Sequence, residues 1–357
     1  MYSSRHYSSR HTAFQSIPVV DITGLRADHP ATRQATAANL GQAAREAGFF
    51  YLSGHGIPTP LIERLQARTR DYFAQPLAEK MRDYIGQSHN HSGYVPEGEE
   101  QFYGGKVDKK EAYDVGFDLT REPTKWPMVG ANQWPSLPGF KEDVKAYYDA
   151  ALALGQHLFR GFALALGLPE TTFTDQITTP PSQLRLIHYP FDPDTPADRP
   201  GIGAHTDYEC FTLLLPTAPG LEVMNGAGEW IDVPVKPGCF VVNIGDMMEV
   251  LSNGAFVATS HRVRKVAEER YSFPLFCSCD YDTVIAPVLP PAEGVTNDRY
   301  QPVVCGEHLY AQTIQTFRYL RDQWQAGTLA LPDAARALAS FGRLADNDEA
   351  ERPHASE

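Results

Sequence analysis

The sequence has few cysteines, no long apolar run and little positive charge. Its five cysteines, Cys210, Cys239, Cys277, Cys279 and Cys305, form an odd set without paired spacing. Such a set argues against the disulfide framework of a secreted domain. No apolar stretch is long enough to span a bilayer, and the N-terminus lacks the apolar run of a signal peptide. We therefore expect a cytoplasmic protein without a membrane partner.

The shortage of positive charge limits the class of ligand. Lysine and arginine number 31 against 44 acidic residues, which gives a formal net charge of -13. Tight binding to a phosphate backbone requires clustered cations, so nucleic acid is not expected as a partner. The composition is that of an ordinary globular protein. A small-molecule enzyme is the favoured class, and no pattern in the sequence sets an oligomeric state.

Hydrophobic periodicity divides the chain into five regions. A disordered tail is expected at 1–15, where the repeat YSSRH has no apolar period. Region 16–178 is predicted to be mainly helical. Short β-rich runs fill 179–290, a helical segment follows at 291–343, and an acidic tail occupies 344–357. The pattern predicts an α+β fold, a jelly-roll core (double-stranded β-helix) flanked by helices.

A candidate metal site begins at the stretch GIGAHTDYECFTLLLP. His205 and Asp207 are two positions apart, so on an extended backbone their side chains point to the same face. A second histidine starts another strand, where His261 and Val263 share the apolar face and Arg262 faces the other way. Two imidazoles and one carboxylate form a facial triad that leaves coordination positions open on a ferrous ion.

A candidate anion site follows on the next strand. Arg270 and Ser272 share one face, and a guanidinium beside a hydroxyl can bind a carboxylate at two points. An oxo-acid that chelates iron at one end and reaches Arg270 at the other fits this layout. The expected ligand is 2-oxoglutarate.

Taken together, these motifs resemble the isopenicillin N synthase-like group of iron- and 2-oxoglutarate-dependent oxygenases. The resemblance covers roughly residues 16–320. It rests on IPVVDI and AGFFYLSGHGIP near the N-terminus and then on HTD, GLEV, EWIDVPV, FVVNIGDMMEVLSNG, SHRV and RYSFPLF, in that order.

The resemblance implies roles for individual residues. The iron ligands, which are also the catalytic residues, would be His205, Asp207 and His261. Arg270 and Ser272 would hold the distal carboxylate of 2-oxoglutarate, and Tyr189 would donate a hydrogen bond to the same ligand. An asparagine that is common in the family two positions before this tyrosine is Ile187 here, so the contact it makes elsewhere is absent.

The resemblance also implies a reaction. With Fe(II) and O2, 2-oxoglutarate is decarboxylated to succinate and CO2 while a small molecule is hydroxylated, desaturated or cyclised. Two alternatives stay open at this point. One is an oxidase of the isopenicillin N synthase type, in which Arg270 and Ser272 bind a substrate carboxylate and no 2-oxoglutarate is consumed. The other is a non-catalytic jelly-roll module that binds a metal or ligand.

An acidic loop is a candidate cover for the site. The segment GYVPEGEEQFYGG carries Tyr94, Glu97, Glu99 and Glu100. If these acids face the barrel interior, they predict a cationic or amino-bearing substrate.

Overall fold

The computed structural model describes residues 12–100, 108–119, 124–196, 199–290 and 300–332. Seven α-helices lie in these ranges. They are α1 (Pro30–Glu46), α2 (Thr59–Phe73), α3 (Leu77–Lys80), α4 (Phe140–Ala165), α5 (Asp246–Leu251), α6 (Cys305–Thr316) and α7 (Arg318–Gln325).

Fourteen strands lie in the same ranges. The first five are β1 (Val19–Asp21), β2 (Phe49–Ser53), β3 (Gly93–Val95), β4 (Glu111–Val115) and β5 (Gln183–Tyr189). The next five are β6 (Ile202–His205), β7 (Phe211–Pro216), β8 (Leu221–Met224), β9 (Trp230–Asp232) and β10 (Phe240–Ile244). The last four are β11 (His261–Val263), β12 (Arg270–Cys277), β13 (Val284–Ile285) and β14 (Val303–Val304).

The strands form two main sheets and one short pair. The major sheet has eight strands in the order β1-β2-β10-β7-β12-β5-β4-β3, and the minor sheet has four in the order β6-β11-β8-β9. Apart from the parallel pair β1 and β2, the strands of both sheets run antiparallel. Strands β13 and β14 pair separately.

The two faces of the major sheet differ because side chains alternate along each strand. In β7, Phe211 and Leu213 belong to the core that includes α4, whose buried side chains include Leu158 and Phe162. Burying one such side chain contributes roughly 2 kcal/mol. The alternate residues of β7, Thr212 among them, point to the opposite, inner face.

The N-terminal region supplies strands as well as helices. Its strands β1 and β2 lie at one edge of the major sheet, and β3 and β4 lie at the other. Four residues of the predicted tail are also ordered against the body of the protein: the amide of Thr12 donates to Glu46, and the carbonyl of Phe14 accepts from Asn225. The division of the chain into separate regions stays a prediction.

The predicted α+β fold with a jelly-roll core is confirmed. In the part of the chain that the structure describes, no helix combines the length and the apolarity that a membrane span requires. The first eleven residues and the predicted acidic tail at 344–357 lie outside the described ranges.

Candidate metal centre

The three predicted metal ligands lie together at one end of the minor sheet. Strands β6 and β11 pair so that His205 lies opposite His261, and Asp207 follows β6 by two residues. One ligand atom from each side chain lies within 4.8 Å of the other two. Within the described ranges, these residues are the one group of three or more His, Cys, Asp or Glu side chains arranged to hold a metal ion.

Backbone carbonyls fix the orientation of both imidazoles. Nδ1 of His205 donates to the carbonyl of Gly203 at 2.8 Å, and Nδ1 of His261 donates to the carbonyl of Thr259 at 3.1 Å. In the neutral form of each ring, the other nitrogen, Nε2, then carries the lone pair. Both Nε2 atoms face Oδ1 of Asp207, at 3.6 Å for His205 and 3.5 Å for His261.

Asp207 is held through its second oxygen. Oδ2 accepts a hydrogen bond from Nδ2 of Asn243 at 2.7 Å and another from the hydroxyl of Thr212. These two donors lie on the inner faces of β10 and β7, in the major sheet. They leave Oδ1 directed at the imidazoles, so Asp207 is positioned as a ligand with one free oxygen.

Sequence reasoning missed both donors. Asn243 interrupts the apolar run FVVNI, and Thr212 interrupts FTLLLP. A single polar residue on the inner side of an otherwise apolar strand was the available signal, because buried polar groups require partners.

The electrostatics of the cluster suit a bound cation. Burial, followed by the neighbouring His261, lowers the pKa of His205 to about 4, which keeps its imidazole neutral. Burial opposes ionisation of Asp207, but His261 and the hydrogen bonds to the carboxylate hold the pKa of Asp207 well below its usual range. Burial also opposes charging of His261, and the Asp207 carboxylate outweighs it and raises the pKa of His261. The site therefore presents an ionised carboxylate beside a neutral imidazole.

The donor set fits a ferrous ion. Two imidazole nitrogens and one carboxylate oxygen on one side of an ion leave the other side open for further ligands. A purely structural site would close its coordination shell with protein atoms. The cluster therefore has the chemistry of a reactive centre.

Arg270 lies across the barrel, on the inner face of β12, with no exposed surface. Its Nε donates to the carbonyl of Ala218 at 3.1 Å, and its guanidinium stacks over the ring of Tyr189 at 4.6 Å. Both terminal nitrogens are buried and have no hydrogen-bond acceptor in the described structure. Burial of the guanidinium lowers the pKa of Arg270. A buried cation with unused donors is costly unless an anion pairs with it, so the site fits a ligand carboxylate.

Ser272 and Tyr189 share the inner face with Arg270. Arg270 is paired in register with Tyr189, and Ser272 is paired with Ile187, on strands β12 and β5. Ser272 is 2% exposed and Tyr189 is 1% exposed. The ring of Tyr189 stacks on the guanidinium of Arg270 and so restricts its orientation.

The acidic loop does not present three free carboxylates. Glu97 pairs with Arg199 near the surface. Glu99 accepts from the amide of Tyr319, and its carboxylate also pairs with Arg318. Glu100 alone of these acids belongs to the inner face, where it binds two buried cations described below. Tyr94 is a core residue of β3, not part of a cover.

Other residues confirm the assignment of strand faces. Arg264 points outward and pairs with Asp232 at 2.6 Å, and Arg262 stacks outside on Trp230 at 4.1 Å. His188, on the face of β5 opposite Tyr189, bonds to Glu111 at 2.8 Å. The five cysteines are free thiols.

Two family models match the chain. Residues 17–137 match the family described as "non-haem dioxygenase in morphine synthesis N-terminal", and residues 180–278 match the "2OG-Fe(II) oxygenase superfamily". The second match contains His205, Asp207 and His261 as well as Arg270.

Curated relatives match over nearly their whole length. Homoarginine-6-hydroxylase 2-ODD-233 of Oryza sativa subsp. japonica is 36% identical over 85% of this chain and 98% of its own. Homoarginine-6-hydroxylase 2-ODD-C23 of Glycine max is 34% identical over 86% of this chain and 98% of its own.

Solved structures share the fold. A 2OG-Fe(II) oxygenase family protein from Caulobacter crescentus aligns with a TM-score of 0.75 and 29% identity, over 85% of this chain and 99% of its own. A full-length Neurospora crassa protein solved in complex with alpha-KG aligns with a TM-score of 0.72 and 25% identity, over 85% of this chain and 98% of that one.

Proposed function

Because this chain belongs to the 2-oxoglutarate- and Fe(II)-dependent oxygenase superfamily, we propose that His205, Asp207 and His261 bind its iron. We propose also that Arg270 and Ser272 bind the far carboxylate of 2-oxoglutarate, with Tyr189 supporting that end of the ligand. Support comes from the donor geometry at one end and the unpaired guanidinium at the other.

The protein is an Fe(II)/2-oxoglutarate-dependent dioxygenase that oxidises a small molecule. The oxygenase predicted from the sequence is therefore confirmed, and the two alternatives, an oxidase without 2-oxoglutarate and a non-catalytic module, are set aside. When bound, the iron and 2-oxoglutarate supply the oxidising chemistry, in which O2 converts 2-oxoglutarate to succinate and CO2 and the substrate is oxidised.

The residues of this chain provide position and charge for that chemistry. The hydrogen bonds from Nδ1 of His205 and His261 to backbone carbonyls orient the Nε2 atom of each ring toward Asp207. Asp207 supplies the negative charge that retains a divalent cation, with Thr212 and Asn243 fixing its rotamer. Arg270 orients the acid from the opposite sheet, and its burial excludes water from the ion pair.

The observation that carries this proposal is the pair of buried, unpartnered terminal nitrogens on Arg270. A guanidinium fork matches a carboxylate at two points. No described side chain offers that carboxylate, so a ligand is the group that would complete the pair.

Anaerobic reconstitution tests the proposal. Fe(II) and 2-oxoglutarate added without oxygen should produce a metal-to-ligand charge-transfer band, and admission of O2 should release succinate. His205→Ala, Asp207→Ala and His261→Ala should each lose the band while the barrel stays folded by circular dichroism. His188→Ala, which changes a histidine on the outer face, is the matched control and should retain it. A band of full intensity in the three ligand variants would refute the assignment.

We propose two compounds as the first substrates to test. The rice and soybean relatives are named for homoarginine hydroxylation, and the Neurospora crassa protein has also been solved with thymine. Homoarginine is a cation and thymine is neutral, so the two compounds separate substrate classes by charge. The measurement is succinate release above the rate without substrate.

A further inference from the structure

Five buried charged residues, which we name the charged cluster, line the inner face of the major sheet beside the metal centre. They are Glu100, Asp108, Lys110, Asp114 and Arg185, none more than 6% exposed. Arg185 lies on β5 and shares its inner face with Tyr189, the residue under the guanidinium of Arg270. The cluster therefore lies on the same wall of the barrel as the proposed cosubstrate residues.

Two of the three carboxylates in the cluster are fully engaged. Arg185 forms a two-point pair with Asp114, through contacts of 2.7 and 2.8 Å. Arg185 also donates to both oxygens of Glu100, at 2.8 and 2.9 Å. Lys110 donates to Glu100 at 2.5 Å.

Asp108 is the third carboxylate, and it is incompletely satisfied. Its Oδ1 accepts from the amide of Gly203 at 3.2 Å. Among the described residues, its buried Oδ2 has no hydrogen-bond partner; Nζ of Lys110 is 3.7 Å away and is already bonded to Glu100. The charged cluster has three carboxylates and two cations, and Asp108 is the carboxylate with the longest contact to a cation. Burial raises the pKa of Asp108. A buried charge of this kind is stable only with a partner.

Asp108 lies next to the metal centre. The peptide of Gly203 connects the two, because its amide donates to Asp108 and its carbonyl accepts from His205. Gly203 and His205 share one face of β6, and a Cβ added to Gly203 would meet no atom within 4 Å. Burial raises the pKa of Tyr189, and Asp108 adds to that increase. The open space over Gly203 thus lies on the face that carries His205, and the Gly203 amide bonds to a carboxylate whose Oδ2 has only a 3.7 Å contact to Lys110.

We propose that Asp108 binds the primary substrate by pairing with a cationic group, an ammonium or a guanidinium. The substrate's carbon chain would lie over Gly203, which brings it beside His205 and the iron. This inference rests on the proposed function, and it assigns a positive charge to the substrate group that Asp108 binds. It also assigns the cationic-substrate preference to Asp108 and not to Glu97 or Glu99 of the acidic loop.

Calorimetry on the anaerobic complex with Fe(II) and 2-oxoglutarate tests the proposal. The probes are two pairs of compounds that differ in charge, L-arginine with L-citrulline and L-lysine with 6-hydroxynorleucine. In at least one pair the cationic member should bind roughly tenfold or more tightly than the neutral one, the range expected for a hydrogen bond to a charged group. Equal binding within both pairs, or no binding of either cation, would overturn the proposal.

Asp108→Asn is the decisive variant because it keeps an acceptor for Gly203 and removes the charge. It should abolish the preference for the cation while 2-oxoglutarate binding and the unfolding temperature stay unchanged. Asp232→Asn, at an exposed aspartate on the outer face, should keep the preference. An undiminished preference in Asp108→Asn would overturn the proposal. The titration of 2-oxoglutarate alone separates the two claims: its failure removes the proposed function and this inference together, whereas success without a charge preference removes the inference alone.

Discussion

Asn243 donates a hydrogen bond of 2.7 Å to the oxygen of Asp207 that faces away from the two imidazoles. The amide belongs to the major sheet, whereas both histidines belong to the minor sheet. The metal centre therefore depends on contacts between the sheets as well as on the strands that carry its ligands.

Replacing this amide should weaken metal binding without unfolding the protein. Asn243→Leu keeps the volume and removes the donor, and Thr212→Val removes the second donor. We expect each variant to bind Fe(II) or Co(II) about tenfold more weakly, the lower end of the effect of partners behind a metal ligand. Thr178→Val is the matched control, because Thr178 bonds to Asp280, a carboxylate that is not a ligand. Unchanged metal affinity in both variants would contradict the role assigned to these donors.

Arg270→Lys should weaken the binding of 2-oxoglutarate. Lysine keeps the charge but loses the planar fork that matches a carboxylate at two points. We expect the dissociation constant to rise by roughly ten- to a hundredfold, the cost of about 1.5–3 kcal/mol for a lost charged hydrogen bond. Arg264→Lys, on the outer face, should leave the constant unchanged. An equal rise of the 2-oxoglutarate dissociation constant in Arg270→Lys and Arg264→Lys would mean that the faces of the strands are wrongly assigned.

Arg270→Met should make the protein more stable in the absence of 2-oxoglutarate. The change replaces a buried, unpaired guanidinium by an apolar side chain of similar length. We expect the free energy of unfolding to rise by about 1–3 kcal/mol, as when buried charges give way to well-packed apolar groups. Addition of 2-oxoglutarate should then stabilise the native protein but not the variant. Urea unfolding measures both effects, with Arg264→Met as the control; a lower stability in Arg270→Met would show that the guanidinium is already compensated.

Acid should destabilise the fold through His91. Burial, assisted by Arg185, lowers the pKa of His91 from 6.5 to about 3. Between these values the unfolded chain binds a proton that the native protein does not, so stability falls as the pH falls below 6.5. From pH 7 to pH 5 this histidine should remove about 2 kcal/mol of unfolding free energy.

His91→Asn isolates that contribution. Asparagine tolerates the positive φ of 58° at this position, so the backbone need not change. When the pH falls from 7 to 5, the free energy of unfolding of the variant should decrease by about 2 kcal/mol less than that of the wild type. His29→Asn, at an exposed histidine, should show the wild-type dependence. Parallel curves for His91→Asn and wild type would refute the prediction.

The sequence predicted the candidate site residues although their strands are short: β6 has four residues, β11 has three, and Asp207 follows β6. His205, Asp207, His261 and Arg270 could be placed because alternation assigns a face to each residue of a strand. The resemblance of the flanking motifs to a known family then supplied their roles. The same rule predicts the outward direction of Arg262, and in the structure its guanidinium lies over the ring of Trp230.

The charged cluster escaped prediction for a physical reason. The sequence predicts region 16–178 to be mainly helical, whereas strand β4 forms by pairing with β5, far along the chain. Without that pairing, Asp108 and Lys110 have no assigned face, and their contact with Glu100 and Arg185 cannot be inferred. Partners separated by many residues in sequence are set by tertiary structure and not by local pattern.

The groups proposed to bind the two ends of 2-oxoglutarate lie in opposite sheets. Arg270 is in the major sheet, and His205 and His261 are in the minor sheet. Facing sheets are separated by about 10 Å, a spacing fixed by the side chains that fill the core between them. The separation of the two sheets thus sets the length of ligand that can bind to both. An oxo-acid that is too short would reach only one of the two binding groups, and one that is too long would have to bend. The packing of the core therefore limits the length of the cosubstrate.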